Sequence, residues 1–188
     1  MAGNRLQIAA WLPRSRANGP GRRSVLWVQG CPFHCPGCFN PDFLPFAGGR
    51  TVAVSEVAAW ILAEEDTEGV SFSGGEPFAQ AGPLAEVAEQ VRAAGKGVLI
   101  FTGFAAAALP KSANPSVQRL LAAADLLVAG PYQRDRPCRH PLLASANQEL
   151  VFLTERYRMA DFGLRRTEFR SGGDGAVTVT GFPPAGAT

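Results

Sequence analysis

Short apolar runs suited to β-strands alternate along this 188-residue chain with stretches of helical periodicity, and that order leaves few architectures open. Residues 6–12 and 24–29 read as extended, separated by the turn-rich Asn18-Gly-Pro-Gly21. Ser55 is placed to cap a helix reaching about Glu65, with Val57, Trp60 and Ile61 spaced for one buried face. Residues 70–73 form a strand that runs into Gly74-Gly75-Glu76-Pro77. A helix over 83–94 stops at Gly95, and 97–102 is the next strand. Pro115 suits the first turn of a helix from Asn114 to Ala124, and strands follow at 125–129 and 149–153.

Strands separated by helices predict an α/β fold with a mostly parallel sheet. The length falls short of a closed eight-fold barrel. The expected architecture is therefore a partial, incomplete TIM-like βα barrel. In the tail, Asp174-Gly175 between two β-like runs of 165–182 predicts a small C-terminal hairpin. We read one domain over 1–188, with a core at about 18–153 and an extension over 154–188. The stretch 130–148 is a long irregular loop containing Arg134, Arg136, Arg139 and His140, whose three arginines read as a solvated loop rather than an anion site. Ligands of such sheets collect outside the carboxyl ends of the strands. At those ends lie the cysteine loop after residue 29, Gly74-Gly75-Glu76 and Thr102-Gly103.

The cysteine loop carries the chemistry. Cys31, Cys35 and Cys38 form a C-x3-C-x2-C run, and Cys138 is the one remaining cysteine. Three thiolates can hold three irons of a [4Fe–4S] cube and leave the fourth iron open. A structural zinc site with His34 as fourth ligand, or a set of redox thiols, remains the other reading of this spacing. Three clustered cysteines and a distant fourth make a poor disulfide framework. Cys138, alone on its loop, reads as incidental. A net charge of +2 points to no nucleic acid partner. The start, Met1-Ala-Gly-Asn-Arg, has no apolar run of signal-peptide type, and no segment is long enough for a membrane span. A cytoplasmic setting and no membrane partner are expected.

The run Val28-Gln-Gly-Cys31-Pro-Phe-His-Cys35-Pro-Gly-Cys38-Phe-Asn-Pro41, with Ser73-Gly-Gly-Glu-Pro77, resembles the radical S-adenosylmethionine enzymes. Within them it is similar to the activating proteins of anaerobic ribonucleotide reductase and their single-cluster relatives. Asn18-Gly-Pro-Gly-Arg-Arg23, Phe101-Thr-Gly-Phe104, Asp125-Leu-Leu-Val-Ala-Gly-Pro-Tyr132 and Ser145-Ala-Asn-Gln148 carry the likeness across residues 18–153. The resemblance implies a [4Fe–4S] cluster on Cys31, Cys35 and Cys38, with S-adenosylmethionine chelating the fourth iron. It implies that Gly74 and Gly75 admit the methionine moiety and that Glu76, or the carbonyls beside it, accepts from its ammonium. Gly37, with Pro36, would lie near adenine, and Thr102 near ribose or methionine. No catalytic residue is implied beyond these ligands.

The implied reaction is reductive cleavage of S-adenosylmethionine to a 5′-deoxyadenosyl radical, with a flavodoxin or ferredoxin as electron donor. Trp27, Phe33, Phe39, Phe43 and Phe46 form an apolar shell for it or serve as plain core aromatics. The implied target is a glycyl-radical partner such as anaerobic ribonucleotide reductase. The alternatives are a peptide or small metabolite in a biosynthetic pathway, or a non-catalytic iron–sulfur carrier or sensor. Two departures bear on that choice. Ala129 stands where the family pattern has an acidic residue, and Leu143-Ala144 where it has Arg-Gly.

Overall fold

The computed structural model describes residues 4–164, 167–171 and 177–182. Its first two strands, β1 (Arg5–Ser15) and β2 (Arg23–Val28), pair antiparallel. Next come β3 (Arg50–Ala53) and helix α1 (Val54–Leu62), then β4 (Gly69–Gly74) and α2 (Ala81–Ala93). The chain continues through β5 (Gly97–Thr102), α3 (Pro115–Ala122), β6 (Leu126–Ala129) and β7 (Glu149–Phe152). A separate antiparallel hairpin joins β8 (Thr167–Ser171) to β9 (Val177–Gly181).

The main sheet has the order β3-β1-β2-β4-β5-β6-β7. The pairs β2–β4, β4–β5 and β5–β6 are parallel, while β1 and β7 run against their neighbours. The sheet is thus mostly parallel, with β1 and β7 reversed and β3 and β7 as its two edges, and the barrel does not close. The expected hairpin is present, and its Asp174-Gly175 turn lies outside the described residues.

The central strands are apolar on both faces because both are covered, the usual state of parallel sheets. Leu26, Val28, Val70, Phe72, Val98, Ile100 and Leu127 alternate onto the face that meets the helices. α2 presents Leu84, Val87 and Val91, each fully buried and each contributing about 1.5–3 kcal/mol by leaving water. On the opposite face Leu99, Leu126 and Val128 pack against Leu142 and Tyr157 from the segments after β6 and β7. That face also holds the fully buried Arg23. Its guanidinium donates to the Ser71 hydroxyl, the Tyr157 hydroxyl and the carbonyls of Pro20, Val70 and Gly97.

Several expectations shift. Ser55 does not cap α1: the helix starts at Val54 with Ala53 before it and no side-chain cap, because Val54 already hydrogen-bonds back to Asn4. Val57 and Ile61 are buried as expected. Trp60 is half-buried against Trp11, at 5.8 Å between ring centroids, with Arg50 over its ring. α2 begins two residues early, behind a 3₁₀ turn at Pro77–Gln80. Pro115 opens α3 as expected, and Asn114 caps it, its side chain accepting from Ser116 N–H at 2.9 Å. The 130–148 loop folds back on itself, with Pro137 bridging Ser145 and Ala146 N–H donating to Arg136 O. Among the described residues no helix is long and apolar enough to cross a membrane.

Candidate functional site: a cysteine pocket on the sheet rim

β2 ends at Val28, and the chain leaves the sheet through Gln29 and Gly30 into the cysteine loop. The returning limb is held beside the outgoing one. Gly30 N–H donates to Phe43 O and Cys31 N–H to Leu44 O, each at 2.9 Å. The Gln29 amide reaches across to the carbonyls of Asp42 and Pro45. Gln29 O in turn accepts from the Gln80 amide, which also exchanges hydrogen bonds with the backbone of Gln7. These glutamines, which sequence reasoning did not single out, fix the loop to β1 and to the turn after β4. Gln29 closes an apolar run, whereas Gln80, in the turn after β4, carried no sequence signal.

Cys31, Cys35 and Cys38 are in no disulfide, and all line one pocket with Gly74, Gly75, Glu76, Thr102 and Gly103. The three loops expected at the carboxyl ends of β2, β4 and β5 therefore meet. Cys31 is buried while Cys35 and Cys38 are half-buried; burial pushes the Cys31 thiol up, against backbone hydrogen bonds from Phe33 and His34. Among the described residues no three His, Cys, Asp or Glu side chains gather as a single metal ion demands. A cube spreads its irons over separate corners, so thiols that share a wall without meeting at one point suit it. His34 is exposed, at φ +49° with Nδ1 3.3 Å from Pro32 O, an arrangement that does not favour the zinc reading.

The Gly-Gly-Glu segment is shaped first by the protein itself. Gly74 lies at φ +101°, and a Cβ there would stand 2.6 Å from Val28 N. A Cβ on Gly75 would stand 2.2 Å from Gly30 O. The missing side chains thus let β4 pass against the end of β2, where Gly75 N–H donates to Val28 O and Glu76 N–H to Gly30 O, both at 2.8 Å. Glu76 is 1% exposed. Its carboxylate accepts from Phe78 N–H (2.9 Å), the Thr102 hydroxyl (2.9 Å) and Gly103 N–H (2.8 Å), tying the end of β4 to the end of β5. Burial pushes this carboxyl up to about 7, while the three donors hold it down. The Thr102 hydroxyl also accepts from Phe104 N–H, so Glu76 and Thr102 spend their side chains on each other and on the rim. Gly37 is exposed at φ +74°, with the aliphatic carbons of Arg134 across from it.

The aromatics divide. Phe33 and Phe39 line the cysteine pocket, Phe33 edge-on to Phe104 at 4.8 Å and Phe39 beside Tyr132 at 5.0 Å. Trp27 and Phe43 line the chamber next to it, and Phe46, 63% exposed, lies over Gly30. Leu44, Phe101, Tyr132, Ala144, Gln148 and Phe182 also line the cysteine pocket and were not named as site residues from the sequence. Gln148 accepts from Ala144 and Ser145 N–H and donates to Gly130 O. Oδ1 of Asn147 is buried and has no hydrogen-bond partner among the described residues, leaving one acceptor open at this rim. Ala129 is fully buried at the end of β6, and Leu143 packs into the apolar cluster around Leu99 and Leu126.

Comparison with known proteins agrees with this geometry. Residues 17–151 match the family described as 4Fe-4S single cluster domain. The anaerobic ribonucleoside-triphosphate reductase-activating protein of Vibrio cholerae is 30% identical over 135 residues, covering 67% of this chain and 84% of that protein. The pyruvate formate-lyase-activating enzyme of Clostridium pasteurianum is 38% identical over 68 residues, 34% of this chain and 29% of that enzyme. Among solved structures, QueE from Escherichia coli matches 53% of this chain and 52% of its own, at 17% identity and TM-score 0.42. Three free thiols on one rim pocket, inside a matched segment that spans most of the sequence, place this chain in the 4Fe-4S single cluster domain family of radical S-adenosylmethionine enzymes.

Proposed function

We propose that the rim pocket holds a [4Fe–4S] cluster on Cys31, Cys35 and Cys38, docks S-adenosylmethionine at the remaining iron, and serves to activate a glycyl-radical protein of the ribonucleotide reductase kind. When bound and reduced, the cluster supplies the electron that splits the sulfonium carbon–sulfur bond, yielding methionine and a 5′-deoxyadenosyl radical that takes a hydrogen atom from the substrate. The carrying observation is the meeting of the three thiols with Gly74, Gly75 and Thr102 in one pocket.

The chain's own part is to hold and to exclude. The Gln29 and Gln80 amides fix the cysteine loop, so the thiols are set before any metal arrives. The Glu76 carboxylate joins the β4 and β5 ends from behind. The backbone of residues 74–76, which lines the pocket beside the thiols, is the candidate contact for the methionine and ribose of the cofactor. Gly37 remains the candidate neighbour of adenine, on the exposed part of the loop. Phe33, Phe39 and Phe101 line the pocket with apolar surface that keeps water from a reactive carbon radical. A one-electron protein donor, flavodoxin or ferredoxin, and a cytoplasmic setting complete the reading.

The test is anaerobic reconstitution with iron and sulfide, followed by reduction in the presence of S-adenosylmethionine. Methionine and 5′-deoxyadenosine are expected, and a glycyl radical signal by electron paramagnetic resonance once the partner reductase is added. Cofactor cleavage with no radical on any glycyl-radical partner would remove that target and leave the chemistry. A second reading keeps the chemistry and changes the substrate to a biosynthetic peptide or metabolite. It is favoured by Ala129 and Leu143, which are packed as core where the reductase-activating pattern has charged groups.

A further inference from the structure

We propose that the outer edge of β9 takes up an extended, uncharged peptide segment of the partner protein as an added strand, alongside the cysteine pocket. This deepens the proposed function and rests on it only for the chemistry that follows binding. A chamber of about 340 Å³ adjoins the cysteine pocket, and Phe39, Asn40, Ser73, Phe101 and Phe182 line both. Its far wall is five successive residues, Thr178 through Phe182. Side chains of a strand alternate between its two faces, so a wall made by consecutive residues is the strand's edge.

β8 occupies one edge of β9, and among the described residues no strand pairs with the other. Thr178 and Val179 are exposed, so the edge is reachable. An unpaired edge is a row of N–H and C=O groups, and an extended chain satisfies them regardless of its sequence.

The hairpin is held in place for this role. The Glu168 carboxylate accepts from the Ser15 hydroxyl and Arg16 N–H, and Thr180 Oγ1 accepts from the Asn18 amide. The chamber lining contains no Asp, Glu, Lys or Arg. A charged side chain entering it would lose water and find no counter-charge, so the occupant is neutral. Backbone capture with little side-chain demand suits a glycine-bearing strand. β8 and β9 lie outside the segment 17–151 that matches the family.

The probe is a short synthetic peptide of serine and alanine around a central glycine, titrated anaerobically into the cluster-loaded protein without reductant. Comparison peptides carry N-methyl groups at alternate residues, in each of the two registers, or glutamates beside the glycine. We expect the parent peptide to bind and one N-methyl register and the glutamate peptide to bind at least about tenfold more weakly.

N–H groups of successive strand residues point to opposite edges, so of Thr178→Pro and Val179→Pro one disrupts the hairpin and the other keeps it while losing affinity. Equal binding of all peptides, or wild-type affinity in both proline variants, overturns the proposal. So does absence of binding in protein that still cleaves S-adenosylmethionine with a chemical reductant, which leaves the radical reading standing. Intact peptide binding with no cleavage would instead strike the functional reading and support the strand site.

Discussion

Replacing Glu76 by glutamine separates what burial does to this carboxyl from what its donors do. Burial raises it from 4.5 to about 7. Between those values the folded protein keeps a proton that the unfolded chain has shed, so stability falls as pH rises through the window. Each unit is worth about 1.4 kcal/mol, giving a loss of roughly 3 kcal/mol by about pH 8. Glutamine has no such titration. Its amide nitrogen would meet Gly103 N–H donor to donor, a constant cost of about 1–3 kcal/mol. The wild-type advantage over Glu76→Gln should therefore shrink by roughly 3 kcal/mol between about pH 4.5 and about pH 8. Urea unfolding of cluster-free protein across that range, under reductant, measures it. Cys31 stays out of the window because its own shift is upward from 9.0. A gap that stays constant or widens would mean that the three donors outweigh burial and the carboxylate is ionised throughout, which refutes the reasoning.

Gly75→Ala should lower the stability of the cluster-free protein by about 3 kcal/mol, since the new methyl displaces Gly30 O and the backbone bonds beside it. An unchanged thermal midpoint with weakened cofactor binding would reverse that assignment. Gln29→Leu should cost about 2 kcal/mol by orphaning loop carbonyls. Faster amide exchange at Gly30 and Cys31 checks it, and unaltered protection there would count against the staple. Cys35→Ala should abolish both the brown cluster and methionine formation, read by iron content and product assay; full turnover would contradict the ligand set.

The succession of strands and the three rim loops were legible because β5 and β6 are nearly unbroken apolar runs and β4 alternates, each ended by glycine or a polar residue. The four-residue β3, Arg50-Thr-Val-Ala53, was not: one buried residue in four gives no periodicity, and it forms only because β1 offers an edge. The extension of β1 to Ser15 escaped for a related reason, since two bulges break its alternation. At the site, cysteine spacing announced a shared pocket, whereas the inward turn of Glu76 depends on Thr102 and Gly103, 26 and 27 residues away. Such a partner set follows from the packing of β4 beside β5, and no local pattern encodes it. Phe182 and Gln148 joined the pocket by the same route, carried there by distant segments.

Arg23 has a consequence for how the chain reaches this state. Its five hydrogen bonds go to segments 3, 47, 48, 74 and 134 residues distant in sequence, so the guanidinium sheds its last water only once the region after β7 has arrived. Four of those contacts are remote, the kind that slows assembly.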